Sequence, residues 1–70
     1  MDTLAPNDRA MSPDQLKAAR QRLGYTQRQL AIELHLGENG ARTVRRWELG
    51  EREIPGPVEV LIGEWLRDRP

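Results

Sequence analysis

At 70 residues, with 37% hydrophobic and 31% charged side chains, the chain has material for one small core, which excludes a second domain. Cysteine is absent, so disulfides, thiolate zinc sites and cysteine nucleophiles are excluded together, and a partner subunit is the remaining way to reinforce so small a core. The net charge is zero, which removes whole-domain basicity as an argument for a nucleic-acid partner and leaves only the charge distribution to speak for one. No apolar run approaches the roughly 18 residues of a membrane span, and Met1 to Met11 carries acids and Pro6 where a signal peptide would need a basic start and an apolar middle. The expectation is a soluble, cytoplasmic protein with no membrane contact.

Residues 1 to 11 show no apolar periodicity and read as a flexible leader, with the domain proper at 12 to 70. Ser12, Pro13 and Gln15 combine an N-cap, a first-turn proline and a capping-box partner, so a helix should begin here. Leu16, Ala19 and Leu23 recur at helical spacing, and Gly24 can take the left-handed conformation that ends a helix. The predicted first helix is Pro13 to Leu23. Thr26 with Gln29 repeats the capping box, and Leu30, Ala31 and Leu34 stripe a second helix from Gln27 to Leu34. His35 to Gly40 holds Gly37, Asn39 and Gly40, which is turn chemistry, with Leu36 tucked inward as an anchor. A third helix is predicted from Ala41 to Leu49, buried through Val44 and Trp47 and stopped by Gly50. After the polar loop of Glu51, Arg52 and Glu53, the Pro55-Gly56-Pro57 triplet starts a last helix with Val58, Leu61, Ile62, Trp65 and Leu66 on a broad apolar face. No β-alternation competes. The expected fold is all-α, a small helix-turn-helix bundle of four helices.

Charge is polarised along this chain. Ser12 to Arg46 holds seven bases against three acids, and from Trp47 onward six acids outweigh three bases. One end is positive and the other negative, a polarity able to orient the molecule towards a polyanion. Within the third helix, at about 100° per residue, Arg42, Arg45 and Arg46 share one arc of roughly 100° while Val44 and Trp47 face the other way. A helix anchored on those two would project the three arginines as a comb suited to a DNA major groove, where arginine binds guanine O6 and N7 bidentately. An ordinary solvated face would carry three arginines equally well, and the surrounding pattern is what separates the two readings.

That pattern, Thr26-Gln27, then Leu30-Ala31, then Val44, Trp47-Glu48 and Gly50, resembles the helix-turn-helix domains of the XRE family, related to Cro and the lambda repressor. The resemblance covers roughly Leu16 to Val58. It implies that Gln27 to Leu34 is the positioning helix and Ala41 to Leu49 the recognition helix. It further implies base contacts by Arg42, Thr43 and Arg46, a base or phosphate contact by Arg45, and a phosphate contact by Gln27, flanked by Arg28. Tyr25, at a helix junction, belongs either to the core or to a phosphate contact. Members of the family often pair an arginine of the first helix with a glutamate late in the recognition helix, and Arg20 and Glu48 fill those places. The turn His35 to Gly40 is longer than the usual three or four residues, which predicts a shifted entry of the recognition helix.

An enzyme is the least supported class. His35 is the one histidine, no nucleophile and base are paired, and no cluster has metal-ligand spacing, so neither a cofactor nor a metal is expected. An RNA module would usually offer aromatics for stacking, and the aromatics are only Tyr25, Trp47 and Trp65. The expected function is a sequence-specific regulator of transcription bound to double-stranded DNA, most simply a repressor acting as a homodimer on an inverted-repeat operator. The alternative is an antitoxin that binds a toxin protein and its own promoter. The apolar face of the last helix is broader than four helices of this length would cover, so Ile62, Trp65 and Leu66 are expected at the two-fold interface.

Overall fold

The computed structural model describes residues 11–68; the leader expected over residues 1 to 11 lies, Met11 apart, outside the described residues. Four helices follow one another: α1 (Pro13–Leu23), α2 (Gln27–Glu33), α3 (Gly40–Glu48) and α4 (Gly56–Asp68), with no strand among the described residues. The fold is a small all-α helix-turn-helix bundle. Met11 is not part of a leader, because it packs half-buried against the core and its backbone N–H donates to the Glu59 carboxylate on α4.

The helix starts follow the capping chemistry. The Ser12 hydroxyl accepts from the Gln15 N–H while the Gln15 side chain accepts from the Ser12 N–H, and Thr26 and Gln29 do the same for α2. Each box satisfies two backbone donors that a helix start leaves open. The ends of α1, α2 and α3 share one solution. The amide two residues past the last turn reaches back to a carbonyl five residues earlier, in the bonds Tyr25 to Arg20, Leu36 to Ala31 and Glu51 to Arg46. The residue at the pivot is left-handed each time: Gly24 at φ 79°, His35 at φ 58° and Gly50 at φ 79°. Glycine takes that conformation without steric cost, whereas His35 does so against its Cβ.

Three boundaries differ from the sequence reading. Leu34 terminates α2 as its C-cap instead of lying inside it, and Leu49 does the same for α3. Gly40, read as turn chemistry, is instead the buried first residue of α3. Its role is proximity and not left-handedness: a Cβ there would stand 2.7 Å from the Cβ atoms of both Ala31 and Leu36. The missing side chain lets the start of α3 close onto α2, and these two helices form the most extensive contact in the fold.

Every helix contributes to a single core of Leu16, Ala19 and Leu23 from α1, Leu30 and Ala31 from α2, Val44 and Trp47 from α3, and Val58 and Ile62 from α4. Leu34, Leu36, Ile54, Trp65 and Leu66 pack around it. At roughly 1.5 to 3 kcal/mol for each fully buried large aliphatic chain, Leu16, Leu30, Val44 and Ile62, all fully enclosed, carry much of the burial.

This packing corrects the expected dimer face. Ile62 is fully buried inside the protomer, so it has no surface to offer a second copy. Trp65 and Leu66 are half-buried against the same core, and the Trp65 ring meets Tyr25 edge-on with centroids 6.4 Å apart at 87°. The physical reason is that α4 packs on α1, and this helix-helix contact takes up part of the face that the sequence reading assigned to a second copy. What remains outside on α4 is Val60, 59% exposed, and Leu61, 40% exposed.

Candidate nucleic-acid interface

The site is organised by α3, whose sequence GARTVRRWE divides into two sides. Gly40, Val44 and Trp47 are buried, while Arg42 and Arg45 stand exposed. The inner side fixes the helix and the outer side is cationic, so the charges sit on a support that does not have to order on binding. Arg46 and Thr43 lie between the two sides, half-buried. They line a cleft of about 310 Å³ together with Trp47, Arg52, Glu53 and Pro55. The Thr43 hydroxyl donates to the Asn39 carbonyl at 3.2 Å; its oxygen keeps acceptor capacity.

The comb is therefore not uniform. Arg42 and Arg45 project into solvent, and Arg46 turns towards the loop after α3. Arg52, read from the sequence as a solvated loop charge between Glu51 and Glu53, shares that cleft. The signal that could have found it is Gly50: a left-handed residue there turns the chain back along α3 and returns the loop to the face the helix has just presented.

The expected pairing of Arg20 with Glu48 is present as a two-pronged contact. Arg20 Nε donates to Glu48 Oε2 at 2.6 Å and Nη2 to Oε1 at 3.2 Å, while Nη1 donates to the Tyr25 carbonyl at 3.0 Å. The two side chains are 12% and 5% exposed. One guanidinium thus ties α1, the turn before α2 and the last turn of α3 together, in the fork geometry that only arginine offers. Glu48 also accepts from Gln27 Nε2 at 3.1 Å, a contact that no spacing argument anticipated because it crosses between two helices.

Of the residues expected near phosphates, Gln27 is half-buried at the first position of α2, and Arg28 beside it is exposed. Tyr25 has its ring at the margin of the core against Trp65, which is the core alternative for that ring. Arg20, Gln27 and Glu48 form one network, Thr43, Arg46 and Arg52 one cleft, and Arg42, Arg45 and Arg28 are separate exposed cations. The described residues hold no group of three His, Cys, Asp or Glu side chains able to bind a metal, and no described helix is long and apolar enough to cross a membrane.

Comparison with known proteins leaves the family open. No family model matches the chain, and no solved structure matches it. Among characterised proteins the chain is similar to the Type II methyltransferase M1.ScrFI of Lactococcus lactis subsp. cremoris, 38% identical over 60 residues, which make up 86% of this chain and 15% of that protein. The chain spans about 15% of the length of the relative it matches.

Proposed function

We propose that this chain is a double-stranded DNA-binding regulator of the XRE kind, acting in the cytoplasm as a repressor that occupies an operator and blocks transcription. The observation that carries the reading is the division of α3: Gly40, Val44 and Trp47 anchor it while Arg42 and Arg45 face outward and Arg46 borders them. A rigid helix with arginines on its open side fits the major groove, and arginine is the side chain best matched to guanine there. Gln27 and Arg28 at the start of α2 serve as phosphate contacts beside it. Such contacts set register on the duplex without reading sequence.

The similarity to a stretch of a Type II methyltransferase, amounting to 15% of that protein, carries no argument for or against transfer chemistry in this chain. This chain acts as a binding protein and not as an enzyme. Because Ile62 and Trp65 are taken up within the protomer, two copies assemble on the DNA itself, on an inverted repeat with half-sites about 10 base pairs apart.

Binding-site selection from random duplex tests this reading. It should return a dyad-symmetric motif, and Arg42→Ala and Arg46→Ala should each cost about 1 to 3 kcal/mol and relax preference at particular base pairs. Gln27→Ala should weaken binding to every sequence by a similar factor. Selection that enriches no motif, or variants that keep the parental motif at full strength, would show that α3 does not read bases.

A further inference from the structure

Glu48 has more to do than neutralise Arg20. Its Oε2 accepts from Arg20 Nε, and its Oε1 accepts both from Arg20 Nη2 and from Gln27 Nε2. A carboxylate in such a pair accepts and never donates, whereas a side-chain amide has one end that donates and one that accepts. The Gln27 amide can therefore approach Glu48 only with its nitrogen. The second N–H of that nitrogen makes no hydrogen bond within the described residues, and the side chain is half-exposed.

In an unrestrained glutamine the amide turns freely between presenting its nitrogen and presenting its carbonyl oxygen, because the two ends have nearly the same shape. The carbonyl orientation would repel a phosphate. Holding the amide by its nitrogen on Glu48 removes the repulsive orientation before any ligand arrives, and Glu48 is itself held by two bonds from the Arg20 guanidinium, whose third bond anchors it on the Tyr25 carbonyl. We propose that Glu48 is a positioning residue: through its bond to Gln27 it fixes that amide as a donor, so that the free N–H of Gln27 is presented to a phosphate of the DNA backbone. The proposal rests on the DNA-binding reading given above and names the group that makes its phosphate contact effective.

The chemistry separates this role from a merely structural one. If Glu48 only joins α1 to α3, its loss weakens DNA binding to the extent that it weakens the fold, whatever occupies position 27. If it orients Gln27, its effect on binding vanishes once Gln27 is gone. Glu48→Gln keeps the shape and puts an ambivalent amide opposite Gln27.

The test is a cycle of Gln27→Ala, Glu48→Gln and the double variant, titrated at low salt against a mixed-sequence duplex of 20 base pairs, with thermal unfolding of each variant alongside. Gln27→Ala should bind about tenfold more weakly, the value of one hydrogen bond to a charged group, Glu48→Gln about twofold more weakly, the cost of leaving two amide orientations equally populated, and the double variant no more weakly than Gln27→Ala. A second measurement needs no variant: in the nitrogen-proton spectrum of the unaltered chain, one Gln27 side-chain amide proton should be protected from exchange with water, and the other should shift when duplex is added. Losses that simply add, or a Gln27 amide with both protons in fast exchange, overturn the proposal while leaving DNA binding intact. Absence of any binding by the unaltered chain overturns the DNA reading and the proposal with it.

Discussion

Two seams hold α3, and they are built of opposite materials. At the start of α3 the contact with α2 is apolar and close, with Gly40 seated where any Cβ would collide with Ala31 and Leu36, whereas the far end of α3 meets α2 through the Gln27 bond to Glu48. Against α1 it is polar, through the guanidinium of Arg20 on Glu48. The first seam sits at the start of the helix and the second at its end, so the two together set both the position and the tilt of the face carrying Arg42 and Arg45. The apolar seam tolerates a range of rotations about the contact, as helix packing generally does. The ion pair does not, because its hydrogen bonds are directional. Shape fixes how near α3 lies, and the ion pair fixes which way it is turned.

The largest effect should come from the polar seam. Glu48→Ala leaves the guanidinium of Arg20, a side chain only 12% exposed in the intact pair, with only the Tyr25 carbonyl to bond, and stranding one member of a buried pair costs about 3 to 5 kcal/mol. Urea unfolding should show this loss. Replacing both residues by apolar ones of similar volume should recover most of it, since removing both charges avoids the stranded ion. If Glu48→Ala unfolds within about 1 kcal/mol of the unaltered chain, the pair behaves like a surface bridge and the directional seam is not what holds α3.

The apolar seam should break more gently. Gly40→Ala puts a methyl group 2.7 Å from two Cβ atoms, so α3 must back away from α2. Overpacking of this kind costs about 1 to 3 kcal/mol, and at the first position of α3 the interior preference for alanine over glycine offsets little of it. The displacement should also be felt in function, because Arg42 lies two residues further on. Lower stability together with weaker duplex binding is the expected outcome. A Gly40→Ala chain as stable as its parent would mean that the two helices are free to slide apart.

The contrast between the seams also explains what could be read from the sequence. Both capping boxes announce themselves locally, Ser12 with Gln15 and Thr26 with Gln29, and they place the starts of α1 and α2 where the structure has them. The inward residues of α3 follow from the same local logic, Val44 and Trp47 falling on one side of a wheel. Gly40 was legible only as a residue that permits a turn, because its actual constraint is the Cβ of Ala31 in the preceding helix. The face of α4 reads differently from its sequence for a related reason: periodicity gives the width of an apolar stripe but not the partner that covers it, and within the protomer Ile62 is buried in the core while Trp65 packs on Tyr25. Gln27 was legible as a helix opener, whereas its bond to Glu48 spans 21 residues of sequence.

The smallest effect belongs to the turn between α2 and α3, and it sharpens the comparison by leaving both seams alone. Leu34 to Asn39 links α2 to α3, and His35 occupies the left-handed pivot that glycine fills at the ends of α1 and α3. A left-handed L-residue costs about 1 to 2 kcal/mol, though histidine is among the residues found there more often than most. His35→Gly relieves that cost but loosens the unfolded chain, which returns roughly 0.5 to 1 kcal/mol. The net should be a stabilisation of at most about 1 kcal/mol, visible as a rise in Tm of a few degrees for a domain of this size. His35 is exposed and makes no side-chain contact that the core depends on, so duplex binding should be unchanged. A His35→Gly chain that gained stability and lost binding would show that the turn, and not the two seams, sets how α3 is presented.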